Sequence, residues 1–168
     1  MGYSQIKYLQ TVVNLSNIKH LTLLDGLRFE TIDLFKEILK STTQLTSLKT
    51  KLSDLICWFD NNELCKYLNK YIKRLNLSYT SFENSDQLEQ FCRIFSNLEQ
   101  IKCSTNELET IYLIKYLSKL TYIRTYRCSK IDQILSIRKE IEKLGLDMTA
   151  SLGNDDRPYS LIIWINQN

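Results

Sequence analysis

The sequence predicts an α/β solenoid of about five strand–helix repeats. The strands would form a parallel sheet on the concave side and the helices would cover the convex side, with a C-terminal capping hairpin. Three observations carry this prediction. Leu occurs 27 times and Ile 18 times in 168 residues, against two Val and one Ala. An apolar template, L-x-x-L-x-L-x-x-N-x-L, recurs along the chain at near-constant spacing. Turn-forming residues are scarce, with four Gly and one Pro, and they cluster only at Gly153-Asn154-Asp155-Asp156-Arg157-Pro158.

The N-terminal stretch comes first. Ile6, Leu9, Val12, Val13 and Leu15 follow helical spacing. Residues 1–17 are therefore expected to be a capping helix or a truncated preceding repeat. The start of the chain shows no signal-peptide core and is a poor myristoylation match.

Residues 18–145 hold the five repeats. Ile18, Leu21 and Leu23 open the first, with Gly26 at the template's Asn place. Leu45, Leu48 and Thr50 open the second, followed by Ser53 and Leu55. Ile72, Leu75 and Leu77 open the third, followed by Thr80 and Phe82. Leu98, Ile101 and Cys103 open the fourth, with Asn106 and Leu108 completing the template. Leu120, Ile123 and Thr125 open the fifth, with Cys128 at the Asn place. Starts at 18, 45, 72, 98 and 120 give spacings of 27, 27, 26 and 22 residues. Three lead-ins are near copies: Leu15-Ser-Asn-Ile18, Phe95-Ser-Asn-Leu98 and Leu117-Ser-Lys-Leu120.

Helices are expected between the strands, at 30–40, 57–70, 85–95, 107–117 and 131–144, each with an apolar stripe. Acids such as Asp33, Asp86, Glu107 and Asp132 fall in or near their first turns, where they complement the helix dipole. Such a unit cannot bury its apolar face alone, and stacking makes the core continuous. Gly145 is placed to end the last helix. Residues 146–168 are read as a terminal cap: a strand at 147–152, the dense turn, and a buried or capping strand at 159–166.

Several chemistries have no residues to carry them. The chain contains no G-x-x-x-x-G-K-[ST], no H-E-x-x-H and no G-x-S-x-G. His20 is the single histidine and is expected on the surface of the first strand. Asp155-Asp156 reads as a turn. The five cysteines are odd in number, with no C-x-x-C, and are expected as reduced thiols. Cys128 is expected to cap backbone groups. No metal, no cofactor and no catalytic residue is expected. There is no apolar run of 18 residues, so no membrane span is expected. The expected compartment is cytoplasmic or nuclear, and the expected state is a monomer.

Binding is expected on the concave face. Strand side chains alternate, so template places 4 and 6 point inward while places 3, 5, 7 and 8 point out. Place 3 is His20, Ser47, Arg74, Gln100 and Tyr122; place 5 is Thr22, Lys49, Asn76, Lys102 and Arg124. Place 7 is Leu24, Lys51, Ser78, Ser104 and Tyr126; place 8 is Asp25, Leu52, Tyr79, Thr105 and Arg127. These positions take six of the 22 basic residues and one of the 19 acids. The candidate partner-binding residues are Lys49, Lys51, Arg74, Asn76, Tyr79, Lys102, Tyr122, Arg124, Tyr126 and Arg127. A basic, tyrosine-bearing face suits a protein or an acidic or phosphorylated peptide. Nucleic acid is the disfavoured rival, because the net charge is only +3.

The repeats resemble the intracellular, ribonuclease-inhibitor-like class of leucine-rich repeats. Across about 18–144 they are similar to the repeat half of F-box-type proteins. That resemblance implies a non-catalytic protein–protein interaction module, the substrate-recognition part of a ubiquitin-ligase receptor. It also implies contact with the Skp1 adaptor and a cullin through an F-box, which these residues lack, since no Leu-Pro opening occurs and the one proline is Pro158. The alternatives are a stand-alone leucine-rich-repeat inhibitor or scaffold, or a nucleic-acid-binding repeat surface. No enzymatic activity is implied.

Overall fold

The computed structural model describes residues 15–23, 32–78, 81–128, 130–153 and 160–166. The N-terminal helix expected before Leu15, the turn around Gly26 and the Asp155-Asp156 turn lie outside them. The strands are β1 (His20–Thr22), β2 (Ser47–Lys51), β3 (Arg74–Ser78), β4 (Gln100–Cys103), β5 (Tyr122–Thr125), β6 (Asp147–Gly153) and β7 (Ser160–Asn166). The helices are α1 (Ile32–Ser41), α2 (Leu52–Ile56), α3 (Asn62–Tyr71), α4 (Ser85–Ile94), α5 (Glu107–Tyr116) and α6 (Ile131–Lys143). Leu15–Asn17 form a short 3-10 turn before β1.

This is an α/β fold with one mostly parallel, seven-stranded sheet, in the order β1-β2-β3-β4-β5-β7-β6. The first five strands are added in chain order and are all parallel. The repeat spacing is the sheet register. His20 pairs with Ser47, Ser47 with Arg74, Arg74 with Gln100, and Gln100 with Tyr122. A slip of one residue would turn the Leu48–Leu75–Ile101–Ile123 row out of the core, so the apolar pattern pins the pairing.

The shared lead-ins become one recurring turn. The backbone N–H of Ile18 donates to Leu15 O, Leu45 to Thr42 O, Leu98 to Phe95 O and Leu120 to Leu117 O, at 2.9–3.1 Å. The Ser-Asn residues tie neighbouring units together as well. The Asn69 side chain bonds Ser96 Oγ and accepts from the Asn97 backbone, and Lys119 Nζ reaches Asn97 Oδ1 at 2.6 Å.

The core lies between the helices and one sheet face. Leu48, Leu75, Ile101, Ile123 and Ile163 from the strands are buried with Phe35, Leu64, Phe91, Leu113 and Ile137 from the helices. Rings pack within this core: Phe35 of α1 stacks on Trp58 at 4.4 Å, and Phe91 stacks on Phe95 at the end of α4 at 4.8 Å. Three helices begin at an Asn cap. Asn61 accepts from the Leu64 N–H, Asn84 from Gln87 and Asn106 from Glu109, which closes a capping box.

One helix differs from its expected form. The helix expected at 57–70 begins only at Asn62 as α3; residues 57–60 are a turn, and the short helix α2 precedes them. Trp58 and Phe59 in that turn are buried, and the Asn61 cap starts a new helix. At the C-terminus, β7 pairs antiparallel with both β5 and β6. Strand β6 is the outer edge. Gly145, with φ of +71°, ends α6 as expected for a left-handed cap position.

Candidate functional site

Two rows of side chains occupy the sheet face opposite the core. One runs His20, Ser47, Arg74, Gln100, Tyr122, Trp164 and Thr149. The other runs Thr22, Lys49, Asn76, Lys102, Arg124, Ile162 and Ser151. Neither row contains an acid. Strand alternation places these residues outward because their neighbours are the leucine and isoleucine rows of the core.

The rows frame an open cavity of about 230 Å³, lined by Ser47, Arg74, Leu75, Asn76, Gln100, Lys102 and Tyr122. Arg74 is exposed and Lys102 is half-buried, and they project from adjacent strands across the cavity. Among the described residues no carboxylate forms an ion pair with either. Glu63 instead joins Lys36 at 3.1 Å and Lys40 at 3.7 Å, and Glu99 joins Lys73 at 3.2 Å. Glu63's carboxyl lies below its ordinary range because the Lys36 ammonium bonds it.

The expected binding residues divide into groups. Arg74, Asn76, Lys102 and Tyr122 line the cavity. Lys49 is exposed one strand away, and Lys51 is half-buried where β2 runs into α2. Tyr126 and Arg127 sit in the bend after β5, the first half-buried and the second exposed. Tyr79 lies outside the described residues. Leu52 and Thr105, assigned outward by the template, are core residues at 1% and 0% exposure. The chain has already turned into α2 at Leu52, and Thr105 is drawn into a buried hydroxyl cluster.

Arg124 corrects the expectation most clearly. It is 8% exposed. Its Nη2 donates to Ser160 Oγ at 3.1 Å, and its guanidinium lies over the Tyr126 ring at 5.5 Å. Strand β7, lying beside β5, brings Ser160 to it. Gly153, paired with Ser160, leaves the needed room: a Cβ there would run into the Ser160 side chain and come within 3.3 Å of Arg124 Nη2. Arg124 thus fastens the hairpin to the parallel sheet.

A second cluster lies inside. Thr105 Oγ1 donates to Thr125 Oγ1 at 2.9 Å, and Thr125 Oγ1 donates back to Thr105 O at 2.7 Å. The Thr105 N–H donates to Thr125 Oγ1, and Thr110 Oγ1 donates to Asn106 O. Cys128 Sγ donates to Thr105 O at 3.4 Å. Burial pushes the Cys92 and Cys103 thiols up to about 12, and raises Cys65 and Cys128 as well. Such thiols are poor nucleophiles at neutral pH. Among the described residues no group of three His, Cys, Asp or Glu could hold a metal ion, and no helix is long and apolar enough to cross a membrane.

Three residues of this face escaped the sequence reading. Ser47 and Gln100 stood in the right row but carry no charge, so nothing singled them out. Trp164 fell in a segment expected to be a buried or capping strand; it is 40% exposed and meets Tyr122 edge-on at 6.0 Å. The signal was the alternation Leu161, Ile163, Ile165 against Ile162, Trp164, Asn166.

No family model matches the chain. Among solved structures it is similar to a delta-N METTL16 methyltransferase domain, with a TM-score of 0.34 and 11% identity, over 98% of this chain and 83% of that one. These findings correct the family reading. The chain is not placed among the leucine-rich-repeat or F-box proteins, since no family model supports that placement. The functions that rested on it, namely a non-catalytic ligase receptor, an inhibitor or scaffold, and a nucleic-acid-binding repeat surface, do not stand. The exclusion of enzymatic activity rested on the same family reading and falls with it. At that score the likeness brings neither a fold nor an activity to this chain.

Proposed function

We propose that the outward sheet face binds an acidic or phosphorylated segment of a partner protein, with Arg74 and Lys102 at its centre. The observation that carries this reading is the cavity itself. It sets a guanidinium and an ammonium on adjacent strands, flanked by Ser47, Asn76, Gln100 and Tyr122, in rows without acids. A planar guanidinium offers paired N–H donors to a carboxylate or phosphate, and an ammonium adds a point charge. Amide and hydroxyl neighbours can complete the hydrogen bonding of the anion.

We read the architecture behind this face as a short solenoid of stacked strand–helix units. Its support is the chain-order stacking of β1 to β5 with the repeat spacing as register. In that reading equivalent template places stack side by side, which sets the place-3 row through Arg74 next to the place-5 row through Lys102.

Fluorescence polarisation with a phosphoserine-bearing peptide tests the proposal. The double variant Arg74→Glu, Lys102→Glu is expected to weaken binding by more than about tenfold, the equivalent of roughly 1.4 kcal/mol. Reversal of Arg138 and Lys139, exposed on α6, should leave it unchanged. Equal losses in both variants, or none in the first, overturn the reading.

A further inference from the structure

We infer that this face recognises its ligand at two points, an anion and an aromatic or large apolar side chain three to four residues apart in an extended peptide. The inference rests on the anion-binding reading above and adds what lies beside it. The row through Arg74 and Gln100 continues into Tyr122 and then Trp164. Trp164 is 40% exposed, and its ring meets Tyr122 edge-on at 6.0 Å. Ile162, half-buried and two residues away on the same side of β7, extends this apolar ground. Tyr122 also lines the anion cavity, so the charged and apolar surfaces are continuous.

The spacing follows from sheet geometry. Neighbouring strands lie about 4.8 Å apart, so Trp164 is two strands (~10 Å) from Lys102's strand and three (~14 Å) from Arg74's. An extended peptide advances about 3.3 Å per residue, so a chain crossing the strands spans that gap in three to four residues. An exposed Trp packed against a Tyr is a costly surface to leave in water and a strong anchor when covered. The edge-on contact fixes its ring at little further entropy loss. A phosphorylated or acidic residue without an aromatic neighbour at that distance would use only half of the face.

A display selection of random decapeptides against the full chain tests this. The expected consensus is Asp, Glu or phosphoserine three or four places from Trp, Phe, Tyr or Leu. Replacing that apolar residue by Ala in a selected peptide should weaken binding about tenfold. The loss should vanish with Trp164→Ser, while Arg74→Glu should weaken both peptides alike. Binding should also shield Trp164 from acrylamide quenching, while Trp58, being buried, contributes little to the change. An acidic consensus with no apolar residue at that spacing, or no change in quenching, overturns the two-point inference and leaves the anion reading standing. Selected peptides lacking any acid, or indifferent to Arg74→Glu, overturn both.

Discussion

Replacing Thr125 by Val removes one hydroxyl from the interior without changing the shape of the side chain. Thr125 is fully buried. Its Oγ1 accepts from the Thr105 N–H at 3.1 Å and from Thr105 Oγ1 at 2.9 Å, and it donates to Thr105 O at 2.7 Å. Two of these losses can be made good: Thr105 O keeps Cys128 Sγ, and Thr105 Oγ1 can turn to Thr110 Oγ1 at 3.0 Å. The Thr105 N–H cannot, and a buried donor left without an acceptor costs about 1–3 kcal/mol. With the loss of a net bond of about 1 kcal/mol, partly offset by the added methyl, the expected destabilisation is about 2–3 kcal/mol. For a domain of this size that lowers Tm by roughly 5–10 °C. Thr110→Val is the matched comparison. Asn106 O would still accept from the Thr110 N–H at 3.0 Å, so no group is orphaned and about 0.5–1.5 kcal/mol is expected. Urea unfolding of both variants measures the difference. Equal losses, or a Thr125→Val loss within about 0.5 kcal/mol of zero, refute the claim that an orphaned Thr105 N–H dominates.

Gly153→Ala should cost about 1–3 kcal/mol by overpacking against Ser160. Ser160→Ala should recover part of that loss in the double variant, and additive losses measured by thermal unfolding would contradict the clash. The buried thiols predict alkaline instability. Cys92 and Cys103 are held near 12 in the folded chain against an ordinary 9.0, so the unfolded chain gives up its protons first. Their contribution is present below pH 9 and falls between pH 9 and 12, by up to about 1.4 kcal/mol per pH unit for each thiol. The stability profile of Cys103→Ala should therefore be flatter in that window than the parent's, and parallel profiles would refute the assignment. With a thiol reagent at pH 8, exposed Cys57 should react well before Cys92 and Cys103.

The strands were legible because one spacing does two jobs. The interval between template starts is also the register between neighbouring strands, so Leu48, Leu75, Ile101 and Ile123 announce both the strand and its partner. The α2–α3 break was not legible as a gap in the apolar pattern, since Trp58 and Phe59 fill the turn with core residues. The weaker sign was Asn61-Asn62-Glu63, a helix start inside a segment read as continuous. Arg74 and Lys102 were legible as outward cations from alternation alone. Arg124 satisfied the same rule and is buried, because the rule knows nothing of a strand added from the other direction. Only the antiparallel pairing of β5 with β7 brings Ser160 to its guanidinium. The same pairing carries Trp164 onto the face, so the C-terminal strand pair, which lies outside the repeats, both closed a predicted site and opened another. The family name inferred from the template did not survive, since a repeating apolar pattern constrains packing and says little about descent or activity.

The central claim is that the cation pair on the outward rows is a binding site, and chemical-shift mapping tests it most directly. The account predicts that a phosphoserine-bearing peptide, titrated into isotope-labelled full chain, shifts amides at Ser47, Arg74, Asn76, Gln100, Lys102 and Tyr122 on four adjacent strands, with the α1 to α6 amides unmoved. Shifts confined to the helices, or none on these strands at millimolar peptide, would contradict it.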